Sequence, residues 1–161
     1  MPDRDITRDV LRMFSYGLYV AAAPGPDGPR AATVSWVTQA SFEPRLIAVA
    51  MRRGTGIYEA VAASRRLALH VVTADQADFA KAFFRVNRAG PEEIAGYRFA
   101  LSAHGLPIFD AAHAWLECEV IEEANAQGDH GLFICRILES GLREPAREAL
   151  ALRDTPWHYG G

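Results

Sequence analysis

Apolar positions along this chain fall mostly into short runs and alternations of strand length, and helical spacing shows in three places. Strand-like segments cover residues 16–22, 31–38, 46–51, 67–72, 114–122 and 130–138, bounded by turn formers or polar residues. The run Leu46-Ile47-Ala48-Val49-Ala50-Met51 has no polar interruption, as expected of a strand covered on both faces. Pro24-Gly25-Pro26-Asp27-Gly28-Pro29 is dense in turn formers and predicts a hairpin loop between the first two strands. Helical spacing relates Val10, Met13 and Phe14, then Ile57, Ala60 and Val61. A third helix, capped by Thr73 or Asp75, should run through Phe84, because Phe79 and Phe83, like Ala80 and Phe84, stand four apart. Residues 86–112 hold several Gly and Pro and little sustained period, which predicts loops with short pieces of structure.

About six strands with two or three helices, not regularly interleaved, argue against a doubly wound parallel sheet. The fold class expected is mainly β, an antiparallel barrel with peripheral α-helices. The 161 residues suit one domain, residues 1–161, large enough to bury a core without staples.

Composition narrows the function. A formal net charge of -3, with Lys and Arg scattered, lacks the basic footprint that phosphate backbones require, so no nucleic acid partner is expected. The first twelve residues mix Asp3, Arg4, Asp5, Arg8 and Asp9 and hold no apolar signal segment. No stretch approaches the roughly 20 apolar residues of a membrane span. Cys118 and Cys135 lie inside apolar strand-like runs and read as buried thiols in a reducing cytoplasm. His70, His104, His113, His130 and His158 show no paired ligand spacing and neither Cys lies in a CxxC, so no metal is expected. The hydrolase elbow GxSxG does not occur.

Three segments could carry chemistry. Thr33, Ser35, Gln39 and Ser41 surround Trp36 on the second strand, and alternation alone equally suits a half-exposed strand with hydroxyls facing water. Arg52-Arg53-Gly54-Thr55-Gly56 joins two cations to a helix start whose free N–H groups favour an anion; Thr55 as a simple N-cap is the alternative. Gly128-Asp129-His130 sets a titratable ring beside a carboxylate that can orient it, although a lone His at a strand start often only decorates the surface.

In this order, Thr33-x-Ser35, then Thr38-Gln39-x-Ser41-Phe42-x-Pro44, the apolar strand to Met51, the turn from Arg53 to Thr55, Asp75-Gln76 before a helix ending in Phe83, and Gly128-Asp129-His130 resemble the flavin reductase-like family over roughly residues 8–140. These are FMN-binding split barrels that include the reductase components of two-component monooxygenases. The resemblance implies an antiparallel split β-barrel and a homodimer holding FMN, with FAD as the other flavin. It implies hydride transfer from NADH or NADPH, and a flavin-dependent monooxygenase receiving reduced flavin. It assigns Ser35, Trp36, Thr38 and Gln39, with Thr33 on the same strand, to the flavin ring, and Ser41, Arg53 and Thr55, beside Arg52, to the ribityl-phosphate end. Phe83 falls near the flavin or nicotinamide, and His130 on the nicotinamide side, where it positions or tunes rather than attacks. Pro44-Arg45 replaces the family's frequent pair of prolines, and Trp36 stands where a small residue or Asn is common. The aromatic tail Trp157-His158-Tyr159 could cover the flavin or pack on a partner subunit. Two other readings are an FMN-binding electron carrier or sensor without nicotinamide activity, and a barrel without cofactor.

Overall fold

A computed structural model of the chain describes residues 3–85, 89–143 and 147–161. Its main sheet contains β1 (Tyr19–Ala23), β2 (Arg30–Val34), β3 (Val37–Ser41), β4 (Leu46–Arg52), β5 (Arg66–Val71), β9 (Ala114–Ala124) and β10 (His130–Leu142). These pair antiparallel in the order β2-β1-β5-β9-β10-β4-β3. β2 and β3 are neighbours in the chain yet occupy opposite edges of the sheet. Only Ser35 and Trp36 separate them, and so short a link spans on the order of 10 Å. The sheet must therefore roll until its edges meet at that link, and no ladder joins the two edges. This is a split barrel, as expected.

The single strand expected over 31–38 is thus two strands. Ser35 and Trp36 leave the ladder, and the outer edge of β2 meets the end of α3 (Ala77–Ala82): the Thr33 N–H donates to the Phe83 carbonyl at 3.2 Å and its hydroxyl to the Ala80 carbonyl at 2.6 Å. Beyond the break, the Ala50 N–H donates to the Trp36 carbonyl at 3.0 Å and fixes the new direction.

Alternation along β1 and β5 divides the core. Val20, Ala22 and Ala68 face one cluster with Phe79, Phe83, Phe99 and Phe109. Ala21, Ala23, Leu67 and Leu69 face the barrel interior with Val49, Met51, Phe133, Cys118 and Cys135. Each fully buried large apolar side chain contributes about 1.5–3 kcal/mol. Both cysteines are free and buried. Burial raises both thiols, that of Cys135 to about 12, which keeps them unreactive.

α2 (Gly56–Ser64) follows its predicted period and lays Ile57, Ala60 and Val61 into the barrel. The first helix lies earlier than its pattern, leaving Met13 and Phe14 outside it, and the third is shorter than its pattern. α1 (Ile6–Leu11), capped by Asp5, buries none of its residues. α3 starts late because the Thr73 hydroxyl bonds Asp75 at 2.6 Å and Gln76 at 2.9 Å in a turn of its own. The segment expected to be loops with short pieces of structure holds three short strands, β6 (Glu93–Ile94), β7 (Tyr97–Leu101) and β8 (Pro107–Phe109), a small antiparallel sheet over the phenylalanine cluster; residues 86–88 lie outside the described set. No helix among the described residues is long and apolar enough to cross a membrane.

Candidate functional site

Where the sheet edges meet, the ends of β2 and β4, the start of α2, the residues after α3 and the C-terminal tail enclose a cleft of about 330 Å³. Its walls are largely apolar: Ala32 and Val34 from β2, Met51 from β4, Ile57 from α2, then Phe83 and Trp157. Thr33, Ser35, Arg52, Thr55, His158 and Tyr159 supply the polar groups.

One end of the cleft suits an anion. Thr55 caps α2, accepting from the Tyr58 N–H at 3.3 Å and donating to the Arg52 carbonyl at 2.7 Å. The helix start thereby faces the cleft beside the exposed Arg52, joining a cation to the positive end of a nine-residue helix.

Arg53 does not line the cleft. Its Nε donates to the Gly128 carbonyl at 3.1 Å and its Nη2 to the Asn125 carbonyl at 2.8 Å, while its Nη1 reaches the Tyr58 hydroxyl at 2.7 Å and Glu123 at 3.2 Å. It clamps the β9–β10 hairpin to the turn before α2. Tyr58 also makes a short hydrogen bond to Glu123, which together with burial raises its phenol above the usual range. Thr38 and Gln39 are exposed on edge strand β3, and Ser41 ends that strand, all three outside the cleft lining.

Beside Arg52 lies an aromatic group. His130 pairs with Arg52 across β10 and β4 and is nearly buried. Its ring stacks on Trp36 at 4.4 Å, and Trp36 stacks in turn on Tyr16 at 6.5 Å. Asp129 lies 2.7 Å from His130 Nδ1, and this hydrogen bond, ahead of the charge itself, lowers the Asp129 carboxyl. The Tyr159 hydroxyl lies 2.5 Å from His130 Nε2. The Trp36 indole nitrogen is buried and has no protein partner.

The structure thus brings Thr33, Ser35, Arg52, Thr55 and Phe83 together around the cleft, with Trp36 and His130 beside it. Leu18, Phe84 and Leu152, which also line it, carry no local signal, because sheet curvature and the returning tail place them there. Elsewhere His104 Nδ1 lies 3.2 Å from buried Glu117 and 3.9 Å from Glu139, a trio of metal-ligating type drawn from a loop and two paired strands. Spacing along the chain could not reveal it, and His104 supplies the buried carboxylate with a partner.

An apolar slot with a few polar groups along it, an orphaned indole donor beside it and an anion-favouring end fits a planar, amphipathic ring system carrying a phosphate. The family model for the flavin reductase like domain matches residues 11–159. A Rhizobium meliloti protein named probable flavin reductase is 30% identical over 131 residues, covering 81% of this chain and 41% of the relative. The Agrobacterium fabrum protein named FMN reductase (NADH) SmoA is 26% identical over 137 residues, covering 85% of this chain and 76% of its own length. The styrene monooxygenase flavin reductase of Pseudomonas putida S12 superposes with a TM-score of 0.75 at 27% identity, covering 91% of this chain and 92% of that one. The chain spans only 21% to 41% of the length of several curated relatives it matches. With the split barrel, its cleft and a family match over nearly the whole length, the chain belongs to the flavin reductase-like domain family.

Proposed function

We propose that this chain, as one domain over residues 1–161, binds FMN in the cleft and reduces it with a hydride from NADH or NADPH, the reduced flavin passing to a monooxygenase. The observation that carries the reading is the junction of an apolar slot with Arg52 and the capped start of α2. The names of two matched proteins support it, an NADH-dependent FMN reductase and a monooxygenase flavin reductase. FAD is the other flavin the reading admits.

When bound, the flavin supplies the hydride-accepting chemistry. The residues supply the rest. Thr33, Ser35, Trp36 and Phe83 form the wall and edge for the ring; Arg52 and Thr55 hold the phosphate through charge-assisted and helix-start donors. Arg53 supports this end from behind by fixing the turn. Ile6, Val10, Met13, Phe14 and Phe42 leave apolar surface exposed, which supports a homodimer. On that reading Thr38, Gln39 and Ser41 face the second copy. The reduced thiols of Cys118 and Cys135 support a cytoplasmic setting.

Flavin fluorescence titrations of the wild type and Arg52→Ala with FMN and with riboflavin test the reading. Saturable FMN binding is expected, with the variant losing about 1.5–3 kcal/mol for FMN and little for riboflavin. Equal losses for both ligands would remove Arg52 from the phosphate end, and no saturable binding by the wild type would refute the flavin site.

A further inference from the structure

Resting on the reading of the cleft as a flavin site, we infer that the C-terminal segment 157–159 is a latched wall of that site, and that His130 is a positioning residue acting through Tyr159. Both ring nitrogens of His130 are engaged, Nδ1 with Asp129 at 2.7 Å and Nε2 with the Tyr159 hydroxyl at 2.5 Å. An ionised carboxylate only accepts, so Nδ1 carries the proton. In the neutral ring Nε2 is then the acceptor and Tyr159 donates to it. While the tail is docked, His130 has no ring nitrogen left for a ligand.

One indole holds both partners of the latch. Trp36 stacks on His130 and meets Tyr159 edge-on at 5.2 Å. Farther along, Trp157 stands edge-on to Phe84 at 4.7 Å, and Arg12 Nε donates to the Gly160 carbonyl at 3.3 Å. Trp157, His158 and Tyr159 all line the cleft, and no strand or helix holds the chain after Asp154. Tyr159 is still 43% exposed, so the attachment is small enough to open. The Trp36 indole nitrogen lies buried close to Gly160 without a partner. A cover that seals a donor without satisfying it is suited to closing over a ligand and is poor as permanent core.

Chymotrypsin digestion of the apo and FMN-loaded protein, with cleavage after Trp157 and residue 159 followed by peptide mass, reads the latch, and flavin fluorescence reads FMN affinity. In the wild type, cleavage at these sites should be slow and slow at least about tenfold further with FMN. Tyr159→Phe, which keeps a chymotrypsin site, and His130→Gln should each lose the protection and weaken FMN about fivefold, the worth of one neutral hydrogen bond. The double variant should be no worse than either, because both remove the same bond. Unimpeded cleavage of the wild type, or a Tyr159→Phe protein that matches it in digestion and affinity, would overturn the latch. Protection that depends on Tyr159 in a protein that binds no FMN would uphold the latch and sink the flavin reading instead.

Discussion

His70 shows how far burial can take one side chain from its ordinary chemistry. Fully buried on β5, it donates from Nδ1 to the Val20 carbonyl at 2.8 Å and accepts the Phe109 N–H at Nε2 at 3.2 Å, bonding the barrel to β8. Burial pushes its pKa down to about 4, so the folded ring stays neutral while an unfolded chain takes up a proton near pH 6.5. The unfolded state binds more protons between those values, so stability is intact above pH 6.5 and falls as the pH drops towards 4. Urea unfolding across that range should show a loss of about 3 kcal/mol from this group, and His70→Asn should flatten that part of the profile. Arg53 makes a second case. Arg53→Ala should cost about 1–2 kcal/mol of stability by urea unfolding, since it strips the hairpin clamp. Because Arg53 supports the phosphate end only through the turn, its loss should weaken FMN less than Arg52→Ala does; an FMN-selective loss as large as that of Arg52→Ala would put Arg53 on the phosphate. The sequence made the Arg52-Arg53 pair a candidate for an anion, but which arginine lines the cleft depends on strand pairing, and no local pattern carries that. His70 read only as a residue in a strand, because its partners lie 50 and 39 positions away.

Among the elements, the β9–β10 hairpin carries most of the precision of the site. Gly131 follows His130 on β10, and a Cβ there would come within 2.5 Å of the Tyr58 ring and 3.1 Å of Glu123. Gly131→Ala should therefore displace the Tyr58–Glu123–Arg53 cluster and cost about 1–3 kcal/mol, read as a lowered melting temperature together with weaker FMN binding. An unchanged melting temperature would show that the hairpin gives way freely. Strands with unbroken runs, such as β4, were legible because both faces are buried. The break at Ser35 and Trp36 was not, since strand-forming residues run on through it without Gly or Pro, and the phase change at Trp36-Val37 is its one local trace. In residues 86–112 short pieces of structure were legible but not their strand pairing, because β6–β8 are short, separated by glycine-containing turns, and ordered by the phenylalanines they cover.

At the scale of the whole molecule, one topological fact organises the rest. A two-residue link between opposite edges rolls the sheet, brings β2 against the start of α2, and leaves a gap that the tail closes. The ordered motifs made the flavin reductase-like family legible, and Thr33, Ser35, Thr55 and Phe83 from them meet at this seam, whereas Thr38, Gln39, Ser41 and Arg53 do not line it. The tail's aromatic residues were visible as an oddity, but their partners, Phe84, Trp36 and His130, are fixed only by the closed fold. Nicotinamide-dependent flavin reduction at the seam, the function proposed above, is decided by anaerobic titration of the FMN-loaded protein with NADH and NADPH, followed in the visible spectrum. Stoichiometric bleaching of bound FMN by at least one of the two nucleotides is the predicted result; FMN that stays oxidised with both, yet bleaches with dithionite, would contradict the account and leave an electron carrier or sensor in its place.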